Sequence, residues 1–173
     1  MSSEKYRRFG AVWGVAGVGL LLLFAIVRLL PFVWELEISA LDIWQWIAIS
    51  GWSVFMLYSE GYMAFQKQFA PRVIARAQYI YRYGTPKQIL LAPLFCVGYF
   101  NASVRRIAVA YGLLLGIIGL IAIVHFIPQP WRGVIDVGVI LGLVYGIICL
   151  MFFAYKALQP PHLFVADPEV IVS

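Results

Sequence analysis

Charge is what this sequence lacks most. Asp, Glu, Lys and Arg make up only 12% of its 173 residues, whereas hydrophobic residues make up 63% and the mean hydropathy is +0.89. Soluble domains are about a quarter charged, so these proportions exclude an ordinary soluble protein and indicate an integral membrane protein. The length suits one membrane domain that covers residues 1–173.

Cysteine and histidine are also scarce, with two of each. Cys96 and Cys149 lie singly in apolar runs, which excludes a CxxC redox pair, a zinc knuckle and a disulfide framework. His125 and His162 have no second ligand at metal-binding spacing. The sequence also has no HExxH motif, glycine-rich phosphate loop or Ser/His/Asp set. We therefore expect neither a metal nor a cofactor, and we favour a protein that is not an enzyme.

Four apolar runs are long enough to cross a bilayer. Each contains about 20 residues or more, which matches the roughly 30 Å of a hydrocarbon core. The second run opens with Trp44 and Trp46, as expected at a membrane interface. The sequence thus predicts an all-α bundle of four transmembrane helices, which cover residues 9–30, 43–65, 107–127 and 133–157.

The basic residues are distributed unevenly between the two ends of these runs. If the N-terminus is cytoplasmic, eleven Lys and Arg residues lie inside and two, Arg28 and Arg132, lie on the far side. Cytoplasmic segments normally carry the excess of positive charge. We therefore expect a multi-pass protein with both termini in the cytoplasm, including a tail of residues 158–173. If the protein is bacterial, this places it in the inner membrane.

Two segments of the chain resemble each other. Residues 24–34 (FAIVRLLPFVW) and 121–131 (IAIVHFIPQPW) share Ala-Ile-Val, Pro and Trp at the same spacing. One interpretation is a tandem repeat of a helical hairpin, related by an axis along the membrane normal. The other is a chance alignment of apolar sequence in which Pro and Trp mark helix ends. The sequence leaves both interpretations open.

Glycines at helical spacing predict how the spans pack. Small residues let membrane helices approach closely, where no hydrophobic effect drives them together. Because the link 128–132 is short, the third and fourth spans should be antiparallel neighbours whose glycine faces meet. A homodimer seam is the alternative. The glycines are Gly112 and Gly116 on the third span, Gly138, Gly142 and Gly146 on the fourth, and a further set of Gly10, Gly14 and Gly17 on the first.

An interfacial segment, 66–106, contains seven of the thirteen basic residues. From residue 72 to 83, basic residues and tyrosines share one face and aliphatic residues share the opposite one, which predicts a short amphipathic helix on the membrane surface. Its polar face should contact anionic headgroups or a partner subunit, unless the charge serves topology alone. The predicted binding residues are Arg72, Arg76, Tyr79, Tyr83 and Lys87.

A second short helix should follow Gly84. Thr85 and Gln88 form a Thr-x-x-Gln capping box at its start. Its apolar part, 89–100, is about 18 Å long at 1.5 Å per residue, which is too short to span a membrane. We expect a re-entrant or in-plane helix that Pro93 kinks. A thin fifth span is the alternative.

The second span is the most polar of the four, and it contains Ser59 and Glu60 close to its cytoplasmic end. A carboxylate within a span is a candidate functional group, because it is costly unless it is paired or protonated. The alternative is an interfacial glutamate that pairs with a nearby basic residue and only fixes the loop.

These features favour a non-enzymatic accessory or scaffold protein that contacts lipid headgroups or a partner subunit at the cytoplasmic face. The alternative is a small lipid- or solute-handling transporter that binds an anionic group near Glu60, Arg72 and Arg76. A membrane enzyme that acts on lipid would use the same residues but lacks a recognisable nucleophile. Nucleic-acid binding is not expected, since the charge is shared among juxtamembrane loops and no such fold motif is present.

Overall fold

The computed structural model describes residues 2–37, 40–159 and 166–170. Within these ranges every regular element is helical, apart from one isolated β-bridge. The elements in chain order are α1 (Ser2–Trp34), α2 (Ile43–Met56), a π-helical segment (Leu57–Phe69), α3 (Ala70–Tyr83), α4 (Pro86–Leu90), α5 (Ala92–Val97), α6 (Val104–His125) and α7 (Trp131–Ala157).

Three helices are long and apolar enough to cross a membrane, judged by length and composition. They are Glu4–Trp34, Val104–His125 and Trp131–Ala157. They coincide with the first, third and fourth predicted spans. The all-helical prediction is confirmed, and the three apolar helices fit an integral membrane protein. The second predicted span, 43–65, is not one of the three, because it belongs to a longer and more polar helix.

That longer helix runs from residue 43 to residue 83 without interruption, since Leu57 and Ala70 at the two junctions are both right-handed helical. It starts at a capping box in which Asp42 accepts from the Ile43 amide at 2.7 Å. Pro71 does not break it. The proline follows directly on the π segment, whose wider turns relieve the clash of its ring with the carbonyl one α-turn earlier.

The predicted surface helix of residues 72–83 is therefore not a separate element. It continues the helix that begins at residue 43, and its aliphatic side chains lie in the core of the bundle. Here α1, α3, α5 and α7 meet around a set of buried side chains that comprises Val18, Val73, Ile74, Ala77, Ile80, Ala92, Phe95, Cys96 and Leu150.

The Thr85–Gln88 capping box is present as predicted. The segment that follows forms two short helices instead of one, because the helix is interrupted at Leu91, two residues before Pro93. α4 and α5 pack on the glycine face of α1, where a Cβ on Gly14 would lie 2.7 Å from Cys96 Sγ. Neither helix is long enough to form the alternative fifth span.

α7 packs through its glycines, but not against α6 as predicted. Gly138 lies against Trp52, Gly142 against Glu60 and Gly146 against Phe65, all on the long helix. This close approach lets Trp52 Nε1 donate to the carbonyl of Ile135 at 3.0 Å.

α6 stands apart from the other helices. Only 11% of its most apolar stretch is buried, and a Cβ on Gly112 or Gly116 would meet nothing within 4 Å. The antiparallel link between α6 and α7 therefore did not predict their packing. In the repeat, Pro31 lies inside α1, whereas Pro128 lies in the link before α7. One matching segment thus lies wholly within a helix, whereas the other runs from the end of α6 through the link to the start of α7. The duplication stays a hypothesis.

Part of the tail returns to the bundle. Val170 forms a β-bridge with Ala102, and Arg106 forms an ion pair with Glu169 in which Nε donates to Oε2 at 2.9 Å. Residues 160–165 and 171–173 lie outside the described residues, and so does the predicted isolated histidine His162.

Candidate functional site

Two contacts between α1 and α7 show how these helices are aligned along their length. The Phe32 ring lies 3.4 Å below the Arg132 guanidinium near the start of α7, and Gly19 faces Leu150 further along. The two helices are therefore antiparallel along most of their length. The middle of α7 falls near Tyr145, and the apolar half of α1 passes beside it.

The π segment lies at this same level. A Cβ on Gly61 would be 3.0 Å from the Tyr145 ring, and a Cβ on Gly146 would be 2.7 Å from the Phe65 ring. The Tyr145 hydroxyl also donates a hydrogen bond to Gln66 Oε1. The sequence placed Glu60 near the cytoplasmic end of a span. The structure instead places it against Gly142, with the helix continuing to residue 83.

The outward side of the π segment and the first turn of α3 carry several polar side chains beside the exposed Tyr58 and Met63. Glu60, Lys67 and Gln68 are exposed, and Ser59 and Arg72 are half-buried. We call these five residues the polar face.

The polar residues bond mainly within their own helix. Ser59 Oγ donates to the Phe55 carbonyl at 2.8 Å, and Arg72 Nη2 donates to Gln68 Oε1 at 3.1 Å. Lys67 Nζ lies 4.6 Å from the centre of the Tyr62 ring. Within the described part of the chain, Glu60 forms no ion pair with a basic residue. The interpretation of Glu60 as a glutamate neutralised by its neighbours therefore has no support from the contacts.

Arg76 has a different environment from the one predicted, since only 3% of it is exposed. Its Nη2 donates to the carbonyls of Phe100 at 2.9 Å and Asn101 at 3.0 Å. Its guanidinium also lies 4.3 Å from the centre of the Phe95 ring, and Nη1 reaches the Pro168 carbonyl at 3.5 Å. Arg76 thus ties the turn after α5 and the returning tail to α3, and it does not present its charge to headgroups.

The other predicted binding residues do not gather around Arg76. Arg72 bonds to Gln68 one turn earlier, and Tyr79 is half-buried against the Phe95 ring, 6.1 Å between centres. Tyr83 and Lys87 are exposed, on α3 and α4 respectively. The five predicted binding residues therefore lie in different environments and do not form one surface.

Sequence reasoning did not single out Asp136 as a site residue. Its side chain is buried in α7 and pairs with Arg132 one turn earlier, at 3.9 Å between Nε and Oδ2. Arg132 in turn stacks on Phe32 of α1. One available signal was an acid one turn after an arginine at the start of an apolar run, a spacing that brings two side chains to the same helix face.

Metal-binding geometry is not present among the described residues, where no three His, Cys, Asp or Glu side chains are grouped to hold an ion. Comparison of the chain with known protein families, with curated proteins and with solved structures finds no match.

Proposed function

We propose that this chain is a non-enzymatic accessory subunit that binds a second membrane protein through its polar face. The observation that carries the proposal is the exposure of Glu60 and Lys67 on a helix that lies level with the middle of α7. If α7 crosses the membrane, the polar face lies within the hydrocarbon region and not in the headgroups.

Such a position is energetically costly if only lipid covers it. A charged side chain at the centre of a span costs at least about 2.5–3.5 kcal/mol on insertion scales. Lipid tails offer no hydrogen bonds, whereas polar side chains of a neighbouring transmembrane helix do. A partner helix that carries polar or charged residues near its middle would satisfy Glu60 and Lys67 together.

α6 supplies a second surface for the same kind of contact. It is exposed along nearly its whole length, and its Gly112 and Gly116 have open space beside them. Close helix approach through small residues needs such space. The exposed glycines and the polar face together support an assembly role better than a role of the isolated chain.

We propose that the chain crosses the membrane four times and that the helix of residues 43–83 is the second crossing. This helix packs on α1 near its end and on α7 near its start, as expected for a helix that traverses the bundle. The excess of basic residues favours both termini in the cytoplasm. In a bacterium the protein would then lie in the inner membrane.

The transporter alternative is less well supported, because its three residues do not share a site. Arg76 is occupied by backbone carbonyls, and Arg72 bonds to its neighbour Gln68. Glu60 lies against α7, more than two helical turns from Arg72. An anionic group could not contact all three at once.

Co-purification tests the proposal. The tagged chain is extracted from its own membranes in a mild detergent, and native mass spectrometry measures its complexes. We expect a second protein in fixed stoichiometry, lost in the double variant Glu60→Gln/Lys67→Gln. The matched control Glu4→Gln/Lys156→Gln removes the same charges from exposed helix ends and should retain the partner. A chain that is recovered alone, or a complex that both double variants keep equally, would refute the proposal.

A further inference from the structure

A groove of about 940 Å³ runs between the first turns of α1 and the short helix α4. Its size falls within the roughly 300–1,000 Å³ typical of small-molecule sites. One wall comes from α1 and the other from the turn into α4, and the lining includes Tyr6, Phe9, Trp13, Pro86, Ile89 and Leu90.

The packing of α4 on α1 explains why the groove exists. A Cβ on Gly10 would lie 2.9 Å from Ile89, so the glycine lets α4 sit directly against the helix. The larger side chains on either side of this contact project outward and remain uncovered, with Phe9 64% and Leu90 76% exposed. The groove is therefore a fixed feature of how α4 docks.

The two ends of the groove differ in chemistry. Lys5 and Arg7 line one end, and Trp13 lies about 12 Å further along α1 at 1.5 Å per residue. Arg7 Nη1 donates to the Arg82 carbonyl at 2.9 Å, which fixes the guanidinium beside the end of α3. That bond uses one of the five N–H groups of a guanidinium. Glu4 is the one acid among the first nine residues, against Lys5, Arg7 and Arg8.

An amphipathic anion matches this division. The apolar run of α1 begins at Phe9, so the basic end falls at the membrane boundary and the apolar end below it. Tyr6 and Trp13 are residue types enriched at that boundary, where an apolar ring and a polar tip are both solvated. A small soluble anion would gain little from the apolar lining, and an uncharged acyl chain would gain nothing from the basic end.

We infer that the groove binds one anionic phospholipid from the leaflet that faces the N-terminus. The phosphate lies at Lys5 and Arg7, and an acyl chain lies along Phe9 and Trp13 toward Leu90. The site is separate from the polar face, which lies on the long helix at the level of Tyr145. It therefore does not depend on the proposed partner.

Tryptophan quenching tests this inference, because Trp13 lines the groove. The purified full chain is placed in phosphatidylcholine vesicles that contain either brominated phosphatidylglycerol or brominated phosphatidylcholine at equal mole fraction. The signal of Trp13 is isolated by subtraction of a Trp13→Phe variant. We expect stronger quenching by the anionic lipid, with an apparent association preference of about fivefold for each basic residue that contacts it.

Variants of the basic residues test whether the preference for anionic lipid comes from the groove. Lys5→Gln/Arg7→Gln should abolish it, and Lys5→Gln alone, which removes an exposed side chain without touching the Arg82 bond, should reduce it by about fivefold. The matched control Arg105→Gln/Lys156→Gln removes two basic residues outside the groove and should leave it intact. Equal quenching by both lipids, or equal loss of the preference in groove and control variants, would overturn the inference.

Discussion

The hydroxyl of Tyr145 on α7 bonds to the side chain of Gln66 on the π segment, halfway along α7. This contact and the two glycines beside it, Gly61 and Gly146, set the level of the polar face relative to the apolar helices. A polar stretch of the chain is thereby held next to one of its most apolar helices. The assembly role proposed for the protein depends on this relationship.

The glycines of α7 and α6 should respond differently to a larger side chain. Gly146→Leu forces a side chain toward the Phe65 ring, where a Cβ alone would lie 2.7 Å away, and overpacking of this kind costs about 1–3 kcal/mol. Gly116→Leu places the same side chain in open space. Thermal unfolding in detergent should show a lower Tm for Gly146→Leu only. An equal decrease in both variants would show that the glycines of α6 are packed.

Arg76→Met should destabilise the protein because it leaves the carbonyls of Phe100 and Asn101 without their donor. A buried acceptor without a partner costs about 1–3 kcal/mol. Hydrogen exchange should also become faster in residues 100–106, where the tail docks. The control Arg72→Met removes a half-buried arginine that bonds within its own helix, and it should change the Tm little. Similar Tm values for both variants would show that the hydrogen bonds of Arg76 to Phe100 and Asn101 do not stabilise the protein.

Arg132 and Asp136 should be coupled in a double-mutant cycle. Arg132→Met leaves the buried Asp136 carboxylate without a countercharge, and breaking a buried pair in this way costs about 3–5 kcal/mol. The double variant Arg132→Met/Asp136→Asn removes both charges and should be more stable than Arg132→Met alone. The free energy of unfolding in detergent is measured for these two variants and for Asp136→Asn alone, which completes the cycle. Additive effects would mean that the two side chains do not interact.

Four single cysteines test the proposed topology. Ala40→Cys and Pro128→Cys should react with a membrane-impermeant thiol reagent added outside the cell, whereas Lys87→Cys and Leu158→Cys should react only after the membrane is opened. All four positions are exposed in the structure. Labelling of Ala40→Cys and Lys87→Cys from the same side would show that the helix of residues 43–83 does not cross the membrane.

Local features of the fold were predictable from the sequence. The Thr85–Gln88 capping box and the three apolar helices depend on residues within a few turns of each other. The glycines of α7 pack closely against the long helix. The short link between the third and fourth spans had instead predicted α6 as their partner. The sequence predicted a span that ends at residue 65 and a separate helix over 72–83, whereas the structure has one continuous helix from residue 43 to residue 83.

The environment of Arg76 could not be predicted, because its acceptors come from residues 24, 25 and 92 positions later in the chain. The amphipathic pattern of 72–83 predicted an aliphatic face on the membrane surface, whereas Val73, Ala77 and Ile80 are buried within the protein. It did not show that the protein core, rather than the lipid surface, covers this face. For the same reason the level of Glu60 relative to α7 could be read only from the contacts of Glu60 with Gly142 and of Gly61 with Tyr145.

Site-specific photo-crosslinking in native membranes shows whether a second protein covers the polar face. A photoreactive amino acid replaces Gln68 on the polar face or, as the control, Met151, which is 68% exposed on α7. An accessory subunit should give one discrete protein adduct from position 68 and only lipid adducts from position 151. Lipid adducts alone from position 68 would contradict this role, because the polar face would then have no protein partner in the membrane.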